Sequence, residues 1–193
     1  MKLKELQNTI STSVFFTHQV QKIFSGEKPS QINISLSRMA KRGDLLRIKK
    51  GLFQFPGREV DEFTLSGLIY RPSYVSLESA LHVYGMIPEE VMQVTAVTPT
   101  TTKQFRVVVG GFLYSKIQQE LFFGFDKIAD NHNISSYYNI AKPEKALLDY
   151  IYIRQVRDLS QARVDWIDVD YKLLKQFSRE FPAWVQDTIK EKI

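Results

Sequence analysis

An α+β chain of two domains is what this sequence predicts, on three observations. A helical spacing of apolar residues stops at Gly43 and gives way to an alternating hairpin pattern ending near Phe55. Pro56-Gly57-Arg58-Glu59 then forms a turn-rich break. Beyond it, short strand patterns are bracketed by helical ones, the order of an α+β domain with a mostly antiparallel sheet. The expected domains are residues 1–57 and residues 62–193.

The first domain is organised around Pro29 to Phe55. Ile32, Leu36, Met39 and Ala40 recur three and four residues apart and so share one helix face. Ser30 is a candidate N-cap, and Gly43 sits where a left-handed residue is wanted after the last turn. The opposite face carries Gln31, Ile34, Ser37, Arg38 and Lys41, with Arg42 nearer the edge. Leu46 and Ile48, then Phe53 and Phe55, alternate on either side of the turn Lys49-Lys50-Gly51. Upstream, Leu3, Leu6 and Ile10 predict a short helix, and Val20, Ile23 and Phe24 a second that opens at Ser13 or Thr17 and closes at Gly26. Helices followed by a basic hairpin are the layout of a winged helix-turn-helix.

Charge is concentrated on the same segment. Lys28 to Arg58 holds eight basic residues against one acid, Asp44, a net of +7, whereas the whole chain is +5. A solvated helix face is the plainer reading of such charges, but a basic turn beside a mixed polar-basic face suits duplex DNA better. On this expectation Gln31, Ile34, Ser37 and Arg38 meet base edges. Arginine and glutamine can bond guanine and adenine bidentately, and an apolar side chain can pack on a thymine methyl. Lys41, Arg42, Arg47, Lys49 and Lys50 would hold phosphates.

In the second domain, Phe63, Leu65, Leu68 and Ile69 predict a helix ending before Arg71-Pro72. Ser76 is the expected N-cap of another, with Leu77, Ala80, Leu81 and Tyr84 facing a core and Gly85 as its stop. Strands are expected at Val94–Val97, Phe105–Val109, Phe112–Ile117, Leu121–Phe125 and Ile134–Ile140, with Gly110-Gly111 as a hairpin turn. Pro143 suits a first helical position, leading a helix through Ala146, Leu147, Tyr150 and Ile151. Further helices are expected near Ser160–Val164, from about Asp170 to Arg179, and from Pro182.

Catalytic signatures are missing from this pattern. The chain has no G-x-x-x-x-G-K-[ST] loop and no G-x-S-x-G elbow, and His18, His82 and His132 lack neighbours at ligand spacing. Asp165, Asp168 and Asp170 form the nearest acidic cluster, read first as turn and capping residues and otherwise as the acids of a nucleic-acid-processing enzyme. No enzyme activity, cofactor or metal is expected. Cysteine is absent, no apolar run approaches a membrane span, and the N-terminus has no secretory pattern, so a cytoplasmic protein is expected.

Three stretches resemble the AbiEi family, the antitoxins of type IV toxin–antitoxin (abortive infection) systems. They are LSRMAKRGDLLRIKKGLFQF; PSYVSLESALHVYGMI with VTAVTPTTT; and FRVVVGGFLYSKIQQELFFGF with AKPEKALLDYIYIR, together spanning roughly residues 30–155. The second and third are the more specific, since winged helices occur in many unrelated regulators. The resemblance implies a transcriptional repressor that binds its own operator through the winged helix. It also implies a nucleotidyltransferase-like toxin as functional partner, countered through the second domain with or without direct contact. It assigns no neutralising residues and no oligomeric state. An orphan regulator without a toxin is the alternative.

Overall fold

The computed structural model describes residues 1–88, 91–130, 136–159, 164–166 and 169–190. The chain is α+β and forms two compact units, the first built from Met1–Asp61, the second from Glu62–Arg106, Gly110–Asp130 and the chain from 135 on.

Unit 1 runs α1 (Leu3–Thr9), β1 (Val14–Phe16), α2 (Thr17–Ile23), α3 (Pro29–Arg42), β2 (Leu46–Lys49) and β3 (Leu52–Gln54). Its three strands form an antiparallel sheet in the order β1-β3-β2. Pro29 occupies the start of α3, where its missing N–H costs nothing, so Lys28 is the flanking residue and Ser30 lies inside the helix. Gly43 closes α3 at φ 84°, and the N–H of Asp44 returns to the Met39 carbonyl at 3.0 Å. Ile32, Leu36 and Met39 are buried against Leu6, Val20, Phe15, Phe53 and Phe55. Each such side chain contributes about 1.5–3 kcal/mol on burial, which is why one face of α3 is fixed inward and the other outward. Strand β1 is not legible in the sequence pattern. It exists through pairing, Phe15 opposite Phe53 and Phe16 opposite Leu52.

Unit 2 contains α4 (Glu62–Ile69), β4 (Tyr74–Val75), α5 (Leu77–Val83), β5 (Val94–Thr98), β6 (Lys103–Val107), β7 (Gly110–Lys116), β8 (Phe125–Ala129), β9 (Tyr137–Ala141), α6 (Pro143–Arg154), α7 (Tyr171–Ser178) and α8 (Ala183–Ile189). Six strands form one sheet in the order β6-β7-β5-β4-β9-β8. The sheet is mixed rather than a simple meander. Strands β4–β5 and β8–β9 pair antiparallel, whereas β5–β7 and β4–β9 pair parallel. All five residues of β5 are buried, as expected of a strand inside a sheet covered on both faces.

Three local expectations are corrected. The turn between β6 and β7 is Val108-Val109, and Gly110-Gly111 begin the return strand. Gln119–Leu121 form a 3-10 turn, so the strand expected at Leu121–Phe125 starts only at Phe125. Ser76 does not cap α5 with its side chain. Thr95 Oγ1 accepts from the Ser79 N–H at 3.0 Å instead, which leaves the Ser76 hydroxyl for another partner. The strand expected from Ile134 is described from Tyr137, and most of the helix expected near Ser160–Val164 lies outside the described residues. No described helix is long and apolar enough to cross a membrane.

Candidate nucleic-acid interface

With Ile32, Leu36 and Met39 inside, the 100° step of an α-helix turns Gln31, Ile34, Ser37, Arg38 and Lys41 outward. Gln31, Arg38 and Lys41 are exposed and Ser37 is half-buried. Ile34 is 50% exposed, a large apolar side chain in the middle of a polar and basic face. Gln31, Ile34, Arg38 and Lys41 follow one another at three- and four-residue steps and make a single stripe along α3. One turn is tied to α2 through Gln21 Nε2, which donates to Asn33 Oδ1 at 3.1 Å.

The basic residues divide by what they already touch. Arg42 donates to Asp44 Oδ2 from Nη2 at 2.6 Å and from Nε at 2.9 Å, so its charge is partly matched within the protein. Arg47 stands opposite Phe53 across the hairpin, its guanidinium 5.9 Å from that ring centroid. Lys49 ends β2 half-buried, and Lys50 is exposed at the turn before Gly51, whose φ of 80° makes the tight reversal possible. The Gly51 carbonyl accepts from the Thr17 N–H at 2.9 Å, fixing the hairpin turn to the start of α2.

Arg58 belongs to the fold rather than to this surface. Its guanidinium lies 4.3 Å from the Phe55 ring centroid and donates to the carbonyls of Ile10, Thr12 and Gln7 at 2.7–3.1 Å. One of the eight charges counted in the segment is therefore spent internally.

Two members of the acidic cluster lie among the described residues. Asp170 Oδ1 accepts from the N–H groups of Lys172 and Leu173 at 2.9 and 3.1 Å, the bonds of an N-cap on α7. Asp165 donates its N–H to the Met86 carbonyl at 2.8 Å, and Asp168 lies outside the described residues. Among the described residues no group of three or more potential metal ligands converges.

Sequence reasoning missed the most polar feature of unit 2. Lys145 and Asp149, one turn apart on α6, form an ion pair with neither side chain exposed. Tyr74 Oη accepts from Lys145 Nζ at 2.8 Å and donates to Asp149 Oδ2 at 2.9 Å. The Ser76 hydroxyl donates to that same oxygen at 2.8 Å. Burial pushes the Asp149 carboxyl up and the Lys145 ammonium down, and each is opposed by the charge of the other. Burial, reinforced by Asp149, holds the Tyr74 phenol well above its ordinary value. Both carboxylate oxygens are hydrogen-bonded, and the network ties α6 to β4 through Tyr74. One signal was available: apolar residues on all sides of the segment through Ile151 leave no solvated face for a charged pair.

No protein-family model matches the chain, and no match was found among curated proteins.

Proposed function

We propose that the chain is a sequence-specific, duplex-DNA-binding transcriptional repressor, with unit 1 as a winged helix-turn-helix and with the role of an AbiEi-like antitoxin. The observation that carries the reading is Ile34, half exposed between Gln31 and Arg38 on the outward stripe of α3. A major groove offers thymine methyl groups to such a residue and purine edges to the polar side chains on either side of it. The element order and the strand order β1-β3-β2 support the winged-helix part. In this reading α3 lies in the major groove and the β2–β3 turn, with Lys49 and Lys50, meets the flanking backbone. Lys41, Arg42 and Arg47 add phosphate contacts, Arg42 only in competition with Asp44.

The DNA bound is the chain's own operator, in the cytoplasm, and the functional partner is a nucleotidyltransferase-like toxin. No catalytic step and no cofactor enter this reading. A reporter fused to the chain's own upstream DNA tests it. Repression by the wild type, lost in Arg38→Ala with protein level unchanged, is the expected result. Unaltered repression by Arg38→Ala removes α3 from the account. Growth rescue on co-expression with an adjacent nucleotidyltransferase-like frame supports the antitoxin role; repression without rescue leaves an orphan regulator.

A further inference from the structure

Unit 2 contains a pocket of about 650 Å³ that the repressor reading does not use, built by α4, β4, β8, β9 and the segment before β8. Its size falls in the range of small-molecule sites, roughly 300–1,000 Å³. Two features define its chemistry.

The first is aromatic. Phe122 and Phe125 lie 5.3 Å apart and flank Tyr74 at 5.0 and 4.7 Å, while Phe63 meets Tyr138 edge-on at 5.5 Å. Phe63, Phe122, Phe125 and Tyr138 are only half-buried, so these packed rings still offer surface to the pocket.

The second is charge. Arg71 and Lys127 line the pocket, and among the described residues no lining side chain is acidic. Arg71 donates from Nε to the Gly67 carbonyl at 2.6 Å, a bond that orients the guanidinium and leaves its terminal nitrogens for a ligand. The Lys127 ammonium sits 4.4 Å from the Tyr137 ring centroid. A ring face holds a cation without neutralising it. Cross-strand register adds specificity. Lys127 is opposite Asn139, and Phe125 lies two residues before Lys127, so a ring, a cation and an amide share one face of the β8–β9 hairpin.

Half-buried rings suit a flat heteroaromatic group, an amide can read its polar edge, and two cations with no acid suit a phosphate. We propose that this pocket binds a free mononucleotide, with the base against the aromatic surfaces and Asn139 and the phosphate between Arg71 and Lys127. The site goes beyond the repressor reading and is testable without DNA.

The test is calorimetric titration of the full chain with AMP, GMP, CMP and UMP, with the corresponding nucleosides, inorganic phosphate and a short single-stranded oligonucleotide as comparisons. At least one mononucleotide is expected to bind, with its nucleoside at least tenfold weaker. Arg71→Gln and Lys127→Gln should each lower affinity about tenfold, and Lys172→Gln, at an exposed lysine outside the pocket, should leave it unchanged. The bound nucleotide should also shift the ring resonances of Tyr137 and Tyr138 in the wild type, a readout independent of how the variants fold. Phosphate binding as tightly as the nucleotide would overturn the proposal in favour of an anion patch. Binding of the oligonucleotide alone would overturn it in favour of a strand site. Absence of binding at ~1 mM ligand, the weak end of small-molecule affinities, would remove the site altogether.

Discussion

Lys145 and Asp149 face each other one helical turn apart, fully buried, with Tyr74 and Ser76 completing the hydrogen bonding of the carboxylate. Removing either charge strands the other in an apolar interior, which costs about 3–5 kcal/mol, whereas removing both can be far less harmful. Lys145→Met and Asp149→Leu should therefore each destabilise unit 2 strongly, and the double variant by much less than their sum. Denaturant unfolding of the four proteins gives the coupling directly. Additive losses would mean the pair is not an interacting unit.

Gly124 lies against that pair. It has φ 71°, and a Cβ there would stand 3.1 Å from both Lys145 Cγ and Phe177 Cε2. The left-handed backbone alone costs a non-glycine residue about 1–2 kcal/mol, and crowding adds to it. Gly124→Ala should lose more than roughly 2 kcal/mol by thermal or urea unfolding. Gly67, inside α4 with nothing within 4 Å of its absent Cβ, is the contrast. Gly67→Ala should gain about 0.5–1 kcal/mol.

Alkaline stability follows from the tyrosines. Burial, with Asp126 and Glu144 nearby, pushes Tyr84 from 10.0 up to about 12, and its hydroxyl donates to the Ala141 carbonyl at 2.8 Å. The folded chain therefore keeps a proton between about pH 10 and 12 that the unfolded chain has released. Stability falls with rising pH across that window. Tyr84→Phe should be less stable at neutral pH, through the lost hydrogen bond, yet show a shallower decline above pH 10. Equal slopes in wild type and variant would contradict the assignment.

In unit 1, Arg58 and Lys50 should separate in experiment. Arg58 holds three carbonyls and a ring face. Arg58→Ala is expected to destabilise the fold by roughly 2 kcal/mol or more, since hydrogen bonds to charged groups contribute about 1.5–3 kcal/mol. Lys50→Ala should leave stability unchanged, weaken binding to all DNA alike, and lower the logarithmic salt slope by about one. Asp44→Ala, which releases Arg42, should raise that slope by a similar step.

What the sequence made legible was local. The inward face of α3, its Gly43 stop and the Lys50-Gly51 turn are set by residue spacing and by backbone freedom, and both are written in the chain itself. Strand β1 was invisible because three residues carry no period; β3 makes it a strand. The turn at Val108-Val109 was misplaced because the two glycines after it carry the stronger turn signal. The Lys145–Asp149 pair was hidden because an i, i+4 charge pair normally marks a wet helix face. The apolar residues around it were the one contrary signal, and the packing of α5 and α7 on α6 helps to bury it. The outward stripe of α3 followed from its inward face. The competition of Asp44 for Arg42, and the internal use of Arg58, needed three dimensions.

The most direct test of the central claim is a mobility shift of the full chain on its own upstream DNA against a scrambled duplex, at low and at raised salt. The account predicts a complex that survives raised salt on the native sequence alone, with Arg38→Ala losing about 1–3 kcal/mol of discrimination at one base pair. Equal, salt-sensitive binding to both duplexes would reduce the α3 and hairpin surface to a non-specific phosphate patch. No complex at either salt would contradict the DNA-binding reading outright.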